Sequence, residues 1–372
     1  MMPCVASRAH AWLGRAAAAR EALGGRVPES RVPLGLTCGG TLAALALVEG
    51  RLREALEIAR QAVCQARMRG YDATIGVLDG RLVAARVLLE RDDLRGAAQE
   101  LDEAEVLCSQ GGHRRWAAVV RAERARLAME ERRFEDALGY LDEARRPEVC
   151  GAASWFVDRR LDEIEVRCRL LMGDPTGAAR IFDAAPPEWR SCELTARLRL
   201  ASGRPDLAMN VLNGCRREAA PTAVAIERAV LRARCHAVTG NRRAAEQALQ
   251  EAVDLARNER FTRVFRDEPA LVTEILRGVV AGAPESHLGS LERPATAAAP
   301  SRGRAGVVLE PLTKRERELL DFLPSHLSQY EIARKMYLSA NTVKTHMKGL
   351  YRKLGATSRS EAVDAARSCG LL

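Results

Sequence analysis

The sequence predicts an all-α protein: an α-solenoid over residues 1–277, a flexible linker over 278–306, and a four-helix helix-turn-helix domain over 307–372. Three observations carry this. A turn-plus-small-residue phrase recurs from about Leu42 to Ala256, the composition shifts abruptly after Gly278, and Ser/Thr-x-x-Glu motifs cluster near the end of the chain.

The repeated phrase is an apolar helix end, a turn position, then a helix with alanine five residues on. It stands as Gly50 and Ala55, Asp92 and Ala97, Arg132 and Ala137, Gly173 and Ala178, Gly203 and Ala208, and Gly240 and Ala245. The alanines are separated by 42, 40, 41, 30 and 37 residues. Periods of this length, with small residues where helices approach closely, indicate stacked helical hairpins that bury a continuous core. Such a stack offers a concave surface suited to a protein or small-molecule effector, and as a bare spacer it would only position the C-terminal domain. Trp116, Trp155, Phe156 and Trp189 read as core packing, the commoner fate of large aromatics.

After the repeats, 261–268 leads into an amphipathic helix through Leu271, Ile275 and Leu276. From 278 to 306 the chain turns to Ala, Gly, Pro and Ser, and too few large apolar side chains remain to offset the entropy of ordering.

The C-terminal domain is punctuated by capping signals. Thr313 with Glu316, Ser328 with Glu331 and Ser358 with Glu361 form capping boxes that satisfy orphaned helix N–H groups, and Ser339 caps the remaining helix. Pro324 ends the first helix after the stripe Leu319, Leu320 and Leu323, and Gly355 supplies the backbone freedom that ends the third. The order is helix, scaffold helix, short turn through Tyr337 and Leu338, then a longer helix over 339–354. At 100° per residue that helix places Val343, Met347, Leu350 and Leu354 on one narrow face. Lys344, Lys348 and Arg352 fall together on the opposite side, with Thr345 beside them. Long cationic side chains in this position reach guanine edges and phosphates in a major groove, and the threonine methyl can meet a thymine methyl.

These residues resemble the C-terminal DNA-binding domain of the LuxR family of bacterial transcription regulators. The resemblance is carried by LTKREREL at 312–319, EIA at 331–333, TVKTH at 342–346, KLG at 353–355 and SRSEAV at 358–363. It implies double-stranded DNA as partner, base contacts at Lys344, Thr345 and Lys348 with Arg352 in the same stripe, and phosphate contacts at Gln329, Thr342 and Arg359. It also implies a homodimer on DNA paired through Val363 and Ala366 of the last helix, with RNA polymerase as a further candidate partner. His346 reads as a structural histidine bridging helices.

The repeats, in turn, resemble loose tetratricopeptide units and, with the wording at 323–328, the large MalT-like subgroup of that family. Members of that subgroup carry an N-terminal nucleotidase with a G-x-x-x-x-G-K-[ST] loop. The nearest wording here, Gly173-Asp174-Pro175-Thr176-Gly177, lacks the phosphate-binding lysine. Either the solenoid alone senses something, or the chain begins inside a longer reading frame.

Composition narrows the alternatives. The net charge is +9, and from Glu310 onward eleven Lys/Arg face seven Asp/Glu, so the short C-terminal domain holds +4 of it. Ten cysteines are scattered without a C-x-x-C pair and there are only six histidines, which speaks against zinc fingers and a disulfide framework and for reduced thiols in the cytoplasm. No eighteen-residue apolar run occurs, so no membrane partner is expected. No nucleophile elbow, paired carboxylate motif or metal-ligand spacing appears, so neither an enzyme, a metal site nor a cofactor is expected. The competing reading is a repeat-based scaffold whose C-terminal domain has turned to protein binding or lost its affinity for DNA.

Overall fold

The computed structural model describes residues 34–68, 74–110, 114–146, 155–215, 220–281, 287–288, 312–325, 327–354, 356 and 358–368, with residue 21 isolated among the rest. Every extended element among them is helical. Twelve helices pair into hairpins: α1 (Leu34–Val48) with α2 (Leu52–Met68), α3 (Ile75–Glu90) with α4 (Leu94–Gln110), and α5 (Arg114–Glu130) with α6 (Phe134–Arg145). The second half repeats the plan with α7 (Trp155–Leu171) and α8 (Pro175–Ala184), α9 (Cys192–Ala201) and α10 (Pro205–Gly214), and α11 (Thr222–Val238) and α12 (Arg242–Arg257). Helix α13 (Ala270–Ala281) comes after a short 3₁₀ turn at Arg263–Phe265.

The repeated phrase has a single structural meaning. All six turn positions adopt positive φ: Gly50 81°, Asp92 64°, Arg132 64°, Gly173 78°, Gly203 69° and Gly240 77°. Each closes the preceding helix by a backbone bond three residues back, as from Gly50 N–H to the Leu47 carbonyl and from Arg132 N–H to that of Met129. The next residue bonds five back, and the alanine five on from the turn bonds the residue four before it, as Ala55 does to Arg51. Ala55, Ala97, Ala137, Ala178, Ala208 and Ala245 are each fully buried, because a larger side chain there would hold the two helices of a hairpin apart.

Gly50 illustrates the constraint. A Cβ there would stand 2.7 Å from the Thr222 Cβ at the start of α11, whereas one on Gly203 would meet nothing within 4 Å. Gly50→Ala is expected to lower stability by about 1–3 kcal/mol, combining the left-handed backbone penalty with that clash. Gly203→Ala should carry only the backbone part, and urea unfolding of both variants compares them.

The Gly50–Thr222 contact reflects a closure that the repeat pattern does not announce. One hydrophobic core joins Leu45, Leu52, Leu56 and Val83 of the first three helices to Ile226, Leu249, Val253 and Ile275 of the last three. A second core, with Leu82, Leu101, Leu127, Leu141 and Leu161, fills the middle hairpins. The return segment 258–268 ties the ends together. Glu259 accepts the Arg53 backbone N–H at 2.7 Å, and the Thr262 N–H donates to the Glu90 carbonyl at 2.9 Å. Arg263 is enclosed by Glu130, by Asp92 at 2.9 Å and by Asp267 at 3.1 Å, while Arg266 holds Asp92 at 2.8 Å. The first and last hairpins are thus joined through the chain's own return segment.

The structure corrects three further expectations. In α13 the buried residues are Val272, Ile275 and Leu276, and Leu271 is exposed. The expected linker starts late: 278–281 are still helical, Leu288 is fully buried in the first core, and His287 bonds the Phe261 carbonyl at 2.9 Å. One leucine suffices to seat this stretch where composition had suggested none would; the rest of the linker lies outside the described residues. Lastly, Cys192 and Cys215 form a disulfide, with Cα atoms 6.6 Å apart, because the α9–α10 hairpin brings together its entry and its exit. Cys64, Cys108, Cys168 and Cys235 are free thiols. Of the aromatics, Trp116 is half-buried on the second core, and the side chains of Trp155 and Phe156 lie outside the described residues.

Candidate nucleic-acid interface

The C-terminal module consists of α14 (Lys314–Leu320), α15 (Gln329–Lys335), α16 (Ala340–Leu354) and α17 (Arg359–Ser368). Its caps are those the sequence specifies. Thr313 and Glu316 exchange both bonds of a capping box, as do Ser328 and Glu331. The Ser339 hydroxyl accepts the Thr342 N–H at 3.1 Å, and that of Ser358 accepts the Glu361 N–H at 3.2 Å. Between α15 and α16 the chain turns at Tyr337, φ 55°, and the Leu338 N–H returns to the Ala333 carbonyl at 2.9 Å.

Packing then fixes which side of α16 is presented. Val343, Leu350 and Leu354 are buried with Leu319, Leu320, Leu323, Ile332 and Met336, and Met347 packs against the same core. Lys344, Thr345, Lys348 and Arg352 are exposed. From Lys344 to Arg352 is about 12 Å along a helix, comparable to the width of a major groove. Thr342 and Gln329 are half-buried at the starts of α16 and α15, the Thr342 hydroxyl lying 2.7 Å from that of Ser339. His346 is half-buried on α16, between its two faces.

Two basic residues that look similar in sequence have other tasks. Lys353 turns inward, where its Nζ donates to Glu316 Oε2 at 2.7 Å, with both side chains less than a tenth exposed. A Cβ on Gly349 would stand 2.8 Å from the other oxygen of Glu316, so this glycine leaves room for the pair joining α14 to α16. Arg359, expected on a phosphate, instead donates to four backbone carbonyls of the α14–α15 connection: Leu323 at 2.9 Å, Leu327 at 2.6 Å, Phe322 at 3.1 Å and Ser325 at 2.7 Å. The Phe322 carbonyl also accepts the Ser325 N–H at 3.2 Å and hydroxyl at 2.6 Å, and a planar guanidinium can meet several carbonyls of such a non-helical connection at once.

Val363 and Ala366, expected at a dimer contact, are 8% and 0% exposed within the domain's own core. They sit on the inward face of α17, where small side chains let it lie close to its neighbours. Conversely, Tyr337 is 96% exposed at the turn just before α16, a position for which only its left-handed φ gives a reason. The sequence offered no signal beyond an aromatic in a turn.

The Glu316 carboxyl feels opposing influences. Burial raises its pKa, but hydrogen bonds from Lys353 and the Thr313 backbone outweigh this and hold it below the ordinary range. Glu331 is lowered by the Ser328 hydroxyl and backbone. Groups with depressed folded-state values stabilise above the unfolded carboxylate pKa and lose that contribution as pH falls through the folded value. Protection of the α14–α16 amides, taken relative to their intrinsic exchange rate at each pH, is expected to change little from pH 8 to pH 6 and to fall below about pH 4.5. Lys353→Met should weaken the domain at neutral pH and blunt the acid sensitivity attributable to Glu316.

Two families match this chain. Residues 17–281 match the family described as MalT-like TPR region, and residues 310–366 match bacterial regulatory proteins, luxR family. Among curated proteins, the HTH-type transcriptional regulator MalT of Yersinia pestis is 44% identical over 57 residues, covering 15% of this chain and 6% of MalT. The probable transcriptional regulatory protein SgaR of Hyphomicrobium methylovorum is 51% identical over 55 residues, 15% of this chain and 26% of SgaR. Both matches thus span a small part of the relatives' own length. Among solved structures, a tetratricopeptide repeat protein from Parabacteroides merdae aligns with 74% of this chain and 96% of its own, at 18% identity and a TM-score of 0.43.

Proposed function

The chain belongs to the MalT-like TPR family and is a transcription regulator with a LuxR-type DNA-binding domain, and we propose that it reads the major groove with α16, as a dimer, under the control of its helical repeats. The observation that carries the groove reading is the outward stripe Lys344, Thr345, Lys348 and Arg352 on a helix whose other side is locked in the core. In this reading Lys344 and Lys348 reach base edges or adjacent phosphates, Thr345 contacts a methyl, and Arg352 tracks the backbone. Gln329 and Thr342 approach phosphate at the entry to the groove, and the Tyr337 phenol joins them. Lys353 and Arg359 hold the scaffold and touch no DNA.

Dimeric binding accords with the geometry of helix-turn-helix readers, in which a half-site takes one recognition helix and two-fold operators take two. A cavity lined by the repeats supports reading them as the sensor. The DNA-binding domain, and not the thiols, supports the cytoplasm as the setting. Selection of the full chain on a random duplex pool tests the proposal. Enrichment of a palindrome with half-sites about one helical turn apart is expected. Enrichment of a single half-site would remove the dimer and keep the groove reading. No enrichment, with partner capture by the repeats, would favour the scaffold alternative.

A further inference from the structure

The repeats form an open-mouthed cavity of about 310 Å³, at the low end of the range for small-molecule sites. It is lined by the first helix of every hairpin, from Leu47 on α1 to Glu227 on α11, with Trp189 and Phe261 from the connections. Its wall combines apolar and aromatic side chains with five guanidinium groups, those of Arg86, Arg126, Arg159, Arg160 and Arg167.

The charges on the wall are unevenly matched. Three glutamates on the wall already hold an arginine closely: Glu90 with Arg126 at 2.6 Å, Glu227 with Arg197 at 2.7 Å and Glu193 with Arg228 at 2.6 Å. Three of the remaining arginines are served poorly. Arg160 stands 3.6 Å from the buried carboxylate of Glu123 and 3.7 Å from Glu163, beyond hydrogen-bond reach. Arg167 approaches Glu227 only to 3.9 Å, and among the described residues Arg159 makes no ion pair. The Arg160 Nε is buried without a hydrogen-bond partner. Burying cationic groups at such distances is costly unless a counter-charge completes them.

We infer that this cavity binds a small amphiphilic anion, its carboxylate or phosphate received by Arg159, Arg160, Arg167 and Arg86 and its apolar or aromatic body by Trp189, Leu194 and Leu47. Guanidinium forks suit both oxyacids, since each offers paired oxygens. The same crowding is felt by Arg86, whose pKa is lowered to about 10 by burial and by the neighbouring Arg160 charge. An anion placed between them relieves both effects. A neutral ligand of the same shape would leave the guanidinium groups as they are.

The binding claim stands on the cavity alone; its regulatory consequence rests on the reading of the repeats as sensor. Phenyl phosphate, phenylacetate, inorganic phosphate and benzyl alcohol, each at matched ionic strength, serve as probes in thermal unfolding of the full chain. Phenyl phosphate or phenylacetate is expected to raise the unfolding temperature saturably, inorganic phosphate less, and benzyl alcohol not at all; the stronger aromatic anion tells phosphate from carboxylate. Arg159→Gln, which breaks no ion pair, should abolish most of the shift while keeping the unliganded unfolding temperature, and Arg160→Gln should act in the same direction. Shifts from benzyl alcohol as large as those from the anions, no shift from either aromatic anion, or a shift retained in Arg159→Gln would overturn the site. Duplex affinity with and without the bound anion is then a separate readout. An anion that binds without altering DNA affinity removes the sensor reading and leaves the site standing.

Discussion

Arg359→Ala is expected to remove about 2–4 kcal/mol from the C-terminal domain, as four backbone carbonyls lose a charged donor and regain only part of it from water. A domain of this size holds roughly 3–8 kcal/mol in all, so the variant approaches unfolding at 37 °C. Arg359 is half-buried against the α14–α15 connection, and the bonds to Leu323, Leu327, Phe322 and Ser325 hold that connection against the start of α17. Arg359→Lys should rescue little, because an ammonium group cannot fork to four carbonyls. Hydrogen exchange of α14–α16 amides in the full chain reads the loss directly. A phosphate-contacting arginine would behave otherwise: exchange would stay unchanged while duplex affinity fell uniformly across sequences.

Arg263→Ala is expected to destabilise the repeats by about 3–5 kcal/mol, the usual consequence of leaving a buried charge without its partner. The Arg263 guanidinium is less than a tenth exposed and lies among Glu130, Asp92 and Asp267, with Glu130 almost wholly enclosed. Burial already raises the Glu130 carboxyl above its ordinary pKa, despite the attraction of Arg263. Without that arginine the Glu130 carboxyl is raised further, with Arg126 at 4.0 Å left as its nearby cation. A raised carboxyl favours the folded state more as pH falls, so the variant should recover stability toward pH 5 and lose it toward pH 8. The double substitution Arg263→Met with Glu130→Met should restore much of the loss at neutral pH. Urea unfolding across pH checks all three. A pH-independent loss would mean that Arg263 acts by packing alone.

Repetition and capping account for the features that were legible in the sequence. The turn at Gly50 and the buried Ala55 recur five more times because each hairpin faces the same two demands, a left-handed residue and a close approach. Thr313, Ser328 and Ser339 announce helix starts because their hydroxyls act over three residues. Long-range chemistry was hidden. Lys353 and Lys348 both read as basic residues of one helix, and only packing turns one toward Glu316 and the other to solvent. Arg359 could not be told from a phosphate contact, since its acceptors are carbonyls some thirty-five residues away. The cavity depends on the first hairpin meeting the last, a property of accumulated curvature that no single repeat encodes. The Cys192–Cys215 bridge was hidden for a more local reason: the spacing of 23 residues carries no pairing signal until the α9–α10 hairpin brings its entry and exit together.

The central claim, that α16 reads sequence through its outward basic stripe, is tested most directly by one comparison. Duplex affinity of the full chain, Lys344→Ala and Lys348→Ala would be measured on the selected operator and on a scrambled duplex, across salt concentrations. Because both side chains are exposed and outside the core, stability should be unchanged. Affinity for the operator is expected to fall roughly ten- to hundredfold in at least one variant, with a much smaller loss on the scrambled duplex and a relaxed preference at one base position. Equal losses on both duplexes would make these lysines phosphate contacts only. Unaltered discrimination in both variants would contradict the assignment of α16 as the reading helix.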